Sequence, residues 1–94
     1  MGQRGHSRAA LANALERIER TAIHHKYVPT PVDVARLRSR LGMTRTQFAR
    51  RFGFPVATLR HWERGDRMPQ GAALVLLNVI ERDPRGVLNA LRPR

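Results

Sequence analysis

Apolar residues recur every three or four positions along most of this chain, which is the spacing of one face of an α-helix. The first such pattern predicts an amphipathic helix over residues 7–25, with Ser7 as its N-cap and an apolar face made of Leu11, Leu15, Ile18 and Ala22. Pro29 and Pro31 then interrupt the pattern, because proline does not fit the interior of a helix. We therefore predict an N-terminal helix with a proline-containing linker over residues 1–31, followed by a separate domain over residues 32–94.

Three short helices are predicted in the middle of the chain, each followed by a glycine that can adopt the left-handed conformation. The first covers residues 31–41. The second begins after Thr44, which together with Gln47 has the spacing of a capping box, and it buries Phe48, Ala49 and Phe52. The third carries Pro55 in its first turn and continues to about residue 64.

Two more helices are predicted near the C-terminus. Residues 70–82 are apolar around most of a helical circumference, which predicts burial on several sides. A last short helix begins after Asp83 and carries Val87, Leu88 and Leu91, whose side chains need either the core or a second subunit. Because no stretch alternates apolar and polar residues as a strand does, the predicted fold class is all-α.

The net charge of the chain adds to this description of the helices, because it indicates the kind of partner that the protein binds. The 94 residues include 18 Lys and Arg against 7 Asp and Glu, a formal net charge of +11. Such an excess in a chain with enough apolar residues for a core indicates a folded domain that binds a polyanion. The chain has no cysteine, no apolar run long enough to span a membrane and no signal-peptide pattern. We expect a cytoplasmic protein without a cofactor.

Residues 44–65 have the layout of a helix-turn-helix, in which the second helix enters the major groove of DNA. At 100° per residue, this second helix buries Leu59 and Trp62 and presents the opposite face outward. That outward face carries Ala57, Arg60, His61 and Arg64. Arg60 has the geometry to donate two hydrogen bonds to guanine, and His61 can reach a base or a phosphate. A helix whose polar face is merely solvated is the alternative.

Other basic residues flank this helix. Arg45, in the first turn of the preceding helix, and Arg67, in the following loop, are placed to meet phosphates on either side of a groove. Four further arginines have weaker geometry for the same role, namely Arg36, Arg40, Arg50 and Arg51. Val56 and Ala57, at the start of the helix, offer apolar contacts such as one to a thymine methyl group.

The segments GMTRTQFARRFG (42–53) and TLRHWERG (58–65), together with Pro69, resemble the Xre/Cro-repressor helix-turn-helix family. The resemblance continues towards the C-terminus and narrows to antitoxins of the HigA type, through Ala73, Leu76, Leu77, Ile80, Asp83, Pro84, Val87, Ala90 and Leu91.

This resemblance implies a five-helix, lambda-repressor-like domain that forms a homodimer through its C-terminal helices. The family binds a palindromic operator, represses its own operon and neutralises a RelE/HigB-like toxin. By position, family members touch DNA at the residues corresponding to Arg45, Val56, Ala57, Thr58, Arg60 and His61. Arg38 and Glu63 correspond to a partly buried ion pair between the first helix of the domain and the recognition helix.

Functions of other classes have less support. An enzyme would need a nucleophile with a base, paired carboxylates or a metal cluster, and the sequence offers none of these. His24 and His25 are adjacent, so they point in different directions on a helix and do not form a metal site. A small ribonuclease toxin would need strands. The basic first helix suits a membrane surface less well than packing on this protein, a partner or DNA. The closest alternative is a stand-alone regulator of the same fold without a toxin.

Overall fold

A computed structural model describes residues 9–18 and 26–93, and these residues contain helices and no strand. Residues 9–18, here called α1, are helical. Ser7, Ala22 and the predicted end of this first helix at residue 25 lie outside the described residues. The helices that follow are α2 (Val34–Arg40), α3 (Arg45–Phe52), α4 (Val56–Arg64), α5 (Gly71–Arg82) and α6 (Pro84–Ala90). The all-α prediction, with five helices after an additional N-terminal helix, is confirmed.

The start of each of the three middle helices is determined by its capping residue. Thr44 accepts a hydrogen bond from the Gln47 amide while the Gln47 side chain accepts one from the Thr44 amide, so the predicted capping box is confirmed. The helix α2 starts later than predicted, because the Asp33 side chain accepts from the Arg36 amide and caps it. Pro55 is the extended N-cap of α4 and not a residue of its first turn.

A single core joins the five helices α2 to α6. Phe48, Leu59, Leu77 and Ile80, from three different helices, are completely buried. Further buried residues come from the other two helices and from α3, namely Val34, Leu37, Ala49, Phe52 and Val87. Because every helix of this group contributes to one core, their relative positions are tied together, and α4 is held in a defined orientation.

One side of α5 differs from the prediction. Its residues Val75 and Val79, one helical turn apart, are 37% and 45% exposed, and Leu91 after α6 is 53% exposed. The expectation that α5 is buried on several sides is therefore wrong for this side, because no helix of the described chain covers it. Val75 and Val79 form an exposed apolar stripe on α5, and we refer to these two valines together with Leu91 as the α5–α6 apolar surface.

The linker before α2 is attached to α5 through one buried amide. Asn78, only 2% exposed, accepts from the Tyr27 hydroxyl and from the amide and hydroxyl of Thr30, while its own amide group donates to the carbonyls of Thr30 and Leu74. The Arg82 guanidinium lies 5.5 Å from the centre of the Tyr27 ring. A buried side-chain amide needs such partners. These contacts therefore cross the predicted domain boundary after residue 31.

Candidate nucleic-acid interface

The turn between α3 and α4 sets the angle between the two helices. Gly53 ends α3 with φ of +80°, a left-handed conformation that favours glycine. Phe54 in the turn donates its amide to the Ala49 carbonyl at 2.9 Å, and its ring packs against Phe48 and Trp62 at centroid distances of 6.1 and 5.4 Å. Aromatic packing of this kind stabilises the turn, so α4 projects from the domain at a fixed angle.

The two faces of α4 differ as the sequence predicts. Leu59 is completely buried and Trp62 packs against the core. On the opposite face, Ala57, Arg60 and Arg64 are exposed, and the His61 side chain is 36% exposed. The helix therefore presents hydrogen-bond donors to the solvent while its apolar face packs against the domain.

The remaining predicted contact residues differ in how exposed their side chains are. Val56 is partly buried and packs against the core, so it offers less surface than its position suggests. Thr58 is half-buried. Arg67, in the loop after α4, is exposed.

Glu63 connects three helices through two arginines. Its carboxylate accepts from Arg38 Nε at 2.8 Å and Arg38 Nη2 at 2.9 Å, a bidentate pair between α2 and α4. Arg45 Nη2, at the start of α3, donates to the same carboxylate at 3.2 Å. The Glu63 side chain is 7% exposed. The hydrogen bond from Arg38, supported by Arg45, lowers the pKa of Glu63 below its ordinary value although burial opposes this, and the pKa of Arg38 is raised by the same bond.

The second partner of Glu63 was missed in the sequence. The sequence predicts that Arg45 contacts a phosphate. In the structure its guanidinium donates to Glu63, and its side chain remains 37% exposed. Its Nε–H is buried and has no hydrogen-bond partner among the described residues. A signal was present: Glu63 is the only acidic residue in the sequence between positions 34 and 65, among several arginines.

A second ionic cluster lies at the C-terminal end of α4. Asp66 Oδ2 lies 2.9 Å from Arg64 Nη2, as an ion pair, and 3.2 Å from His61 Nδ1. Arg64 Nη2 also lies 3.5 Å from His61 Nδ1. The hydrogen bond from His61 and the charge of Arg64 lower the pKa of Asp66. Asp66 was not among the predicted site residues, because its position beside His61 depends on the left-handed turn at Gly65.

Two further kinds of feature, metal sites and membrane-spanning helices, are absent from the described residues. They contain no group of three or more His, Asp or Glu side chains with the geometry of a metal site. No helix within residues 9–18 and 26–93 is long and apolar enough to cross a bilayer.

Comparisons with known proteins bear on this arrangement of helices. Residues 34–78, which contain the two helices and their turn, match a helix-turn-helix family model. Antitoxin HigA-2 from Vibrio cholerae is 34% identical over 55 residues, which are 58% of this chain and 53% of that protein. The chain therefore spans about half the length of this curated relative. Helix-turn-helix proteins of this kind are DNA-binding regulators, which confirms the prediction that the chain is not an enzyme.

A solved structure matches a larger share of the chain than this relative does. A crystal structure of a helix-turn-helix Xre-family-like protein from Agrobacterium tumefaciens is 36% identical, with a TM-score of 0.62. The match covers 67% of this chain and the whole of that one. Identity and fold thus agree over two thirds of the chain. The chain belongs to the Xre-like helix-turn-helix family.

Proposed function

We propose that this protein is a sequence-specific transcriptional repressor that inserts α4 into the major groove of double-stranded DNA. The observation that carries the proposal is the orientation of α4. The helix buries Leu59 and is held by the Glu63 ion pairs, so Arg60 is exposed on the opposite face. A rigid helix with an exposed arginine is what direct readout of bases requires.

Six of the eight predicted contact residues have a part in this proposal. Arg60 reads a guanine edge, and the exposed methyl group of Ala57 contacts a thymine methyl, with Thr58 and Val56 at the border of the contact. Arg67 binds a phosphate beyond the end of the helix. Arg45 binds another at the start of α3, because one guanidinium has enough donors for both Glu63 and a phosphate.

DNA binding is tested by selection from a library of random duplexes, followed by fluorescence-anisotropy titration. We expect one sequence family to be enriched, and the enriched duplex to bind about a thousandfold more tightly than a scrambled one at near-physiological salt. Equal, weak and steeply salt-dependent binding to both duplexes would show that the net charge of +11 acts without sequence recognition.

The proposed repressor acts as a homodimer on a palindromic operator. The α5–α6 apolar surface supports this, since two exposed valines one helical turn apart, with an exposed leucine after the next helix, are typical of an interface. A twofold dimer places two copies of α4 in successive half-sites, so the operator repeats with inverted symmetry.

Val79→Glu is expected to abolish the dimer, because it places a charge on the apolar side of α5 at a position that is 45% exposed in the single chain. Sedimentation equilibrium should give the mass of one chain, 10.7 kDa, where the wild type gives twice that mass. The control Glu81→Ala, also on α5 and exposed, should remain a dimer. A dimeric Val79→Glu variant would place the interface elsewhere.

The finer proposal is that the repressor is an antitoxin that neutralises a RelE/HigB-like toxin and controls its own operon. The similarity to antitoxin HigA-2 supports it. A stand-alone Xre-family regulator in the cytoplasm is the alternative. A neighbouring gene for a RelE-like protein, whose toxicity is relieved by co-expression of this chain, would support the antitoxin. A neighbouring RelE-like toxin that stays toxic under co-expression would favour the alternative.

A further inference from the structure

A carboxylate is held against the basic face of α4 by the main chain as well as by its own side chain. Gly65, with φ of +82°, turns the chain back over the end of the helix. The Asp66 amide then donates to the His61 carbonyl at 3.0 Å. In this position the Asp66 carboxylate meets Arg64 at 2.9 Å and His61 at 3.2 Å, as described above.

This carboxylate has no evident role in the core. Its side chain is 49% exposed, and so are substantial parts of its partners, 63% of Arg64 and 36% of His61. An ion pair this exposed contributes little to stability. A negative charge beside a surface that binds phosphates also repels the ligand. Neither the stability of the fold nor the overall affinity for DNA accounts for a carboxylate at this position. We therefore relate Asp66 to the discrimination between DNA sequences.

The hydrogen bond to Asp66 determines what His61 offers to DNA. Two groups face His61 Nδ1, Asp66 Oδ2 at 3.2 Å and Arg64 Nη2 at 3.5 Å. A carboxylate only accepts and a guanidinium only donates, so the shorter contact, to Asp66, assigns the proton to Nδ1. In the neutral ring the other nitrogen, Nε2, is then an acceptor, and it has no partner among the described residues. An acceptor does not bind a phosphate oxygen. It does bind the amino group of adenine or cytosine, which lies in the major groove.

Arg64 is restrained in a different way by the same oxygen. Its Nη2 forms an ion pair with Asp66 Oδ2, in place of the ion pair that it would otherwise form with a phosphate. A non-cognate duplex must break this pair before it gains the Arg64 contact. A cognate duplex is held by its base contacts and leaves the pair intact, so only the non-cognate complex bears the cost of breaking it.

We propose that Asp66 is a specificity-determining residue, which withholds Arg64 and His61 from the phosphates of non-cognate DNA and sets His61 Nε2 as an acceptor for a base amino group. The inference rests on the proposed DNA-binding function and extends it to a residue outside α4. Asp66 acts through the two side chains it holds, as a positioning residue.

The test is the variant Asp66→Asn, titrated against the selected duplex and a scrambled duplex over a range of salt concentrations. Binding to the scrambled duplex should strengthen about three- to tenfold, with a steeper dependence on salt, because one negative charge is removed and the Arg64 guanidinium becomes available to phosphates. Binding to the selected duplex should change less. The specificity ratio, selected over scrambled, should therefore fall by about threefold or more.

The control is Glu81→Gln, which removes one negative charge from α5 at an exposed position. It should strengthen binding to both duplexes equally and leave the specificity ratio unchanged. Thermal unfolding of the Asp66→Asn variant should match the wild type, which separates a loss of specificity from a loss of structure.

Two outcomes would overturn the inference. If Asp66→Asn leaves the specificity ratio where Glu81→Gln leaves it, Asp66 contributes net charge alone, and the proposed repressor function stands without it. If the random library yields no enriched sequence for the wild-type protein, the proposed function fails and this inference fails with it.

Discussion

Replacing Glu63 by alanine is expected to lower the free energy of unfolding by about 2–3 kcal/mol. Glu63 is 7% exposed, and its removal leaves the guanidinium groups of Arg38 and Arg45 without their shared carboxylate. Breaking a buried pair at one partner is costly, because the remaining charge stays partly desolvated. The cost lies below that of a fully buried pair since the Arg38 side chain is 21% exposed and can recruit water. Chemical denaturation measures the change.

Two comparisons make the Glu63 experiment specific. Glu81→Ala, at an exposed site on α5, should leave the unfolding midpoint within error of the wild type. The double variant Arg38→Met, Glu63→Met should be more stable than either of its single variants. In the double variant neither position 38 nor position 63 carries a charge that has lost its partner. Unchanged unfolding of the Glu63→Ala variant would show that the ion pairs do not hold α4.

The free energy of unfolding should depend on pH through the same ion pairs of Glu63. The pKa of Glu63 is lowered in the folded protein, so its stabilising contribution is present above the pKa of the unfolded chain. That contribution is lost as the pH falls below about 4 and passes through the lowered value. Glu63→Gln should therefore lose less stability than the wild type between neutral and acidic pH.

Arg60→Ala is expected to weaken binding to the selected duplex by about a hundredfold and binding to a scrambled duplex far less. A bidentate arginine–guanine contact contributes about 1–3 kcal/mol of discrimination, and a dimer makes this contact twice. The exposed position of Arg60 on α4, opposite the buried Leu59, is the structural reason for this assignment. Anisotropy titration of both duplexes at one salt concentration measures it.

The matched control for Arg60 is Arg85→Ala, which removes an exposed arginine from α6. It should weaken binding to the two duplexes by the same small factor, through the loss of net charge alone. Arg60→Lys retains the charge but not the planar fork, so it should resemble the alanine variant in its loss of discrimination. An equal loss on both duplexes in Arg60→Ala would assign Arg60 to phosphate contact.

Much of the fold could be predicted because its signals are local. The capping box of Thr44 and Gln47 and the glycines at positions 53 and 65 mark helix ends through interactions within a few residues. The burial of Leu59 opposite the exposed Arg60 follows from helical periodicity alone. The errors at the ends of α2 and α4 are also local, since Asp33 and Pro55 take cap positions where the first turn was expected.

The remaining features depend on contacts between distant parts of the chain. Asn78 looks out of place in an apolar helix, and only the folded chain brings Tyr27 and Thr30 within reach of its amide. The exposure of Val79 depends on which side of α5 the other helices cover. Composition and periodicity describe each helix separately, so they do not specify these partners.

The candidate site also combines features that the sequence predicts with contacts that depend on the folded chain. The resemblance to a family, and not the periodicity, supplied the pair of Arg38 and Glu63. The third member, Arg45, was assigned to DNA because its position in the sequence suited a phosphate contact, and its bond to Glu63 depends on the angle between α3 and α4. Ionic contacts between helices require that angle, which the sequence pattern does not contain.

Insertion of α4 into DNA is tested by a crystal structure of the protein bound to the selected duplex. We expect α4 to lie in the major groove, with Arg60 at the edge of a guanine and two protomers related by the twofold axis of the site. A complex in which the duplex contacts another face of the domain, with α4 exposed to solvent, would contradict it.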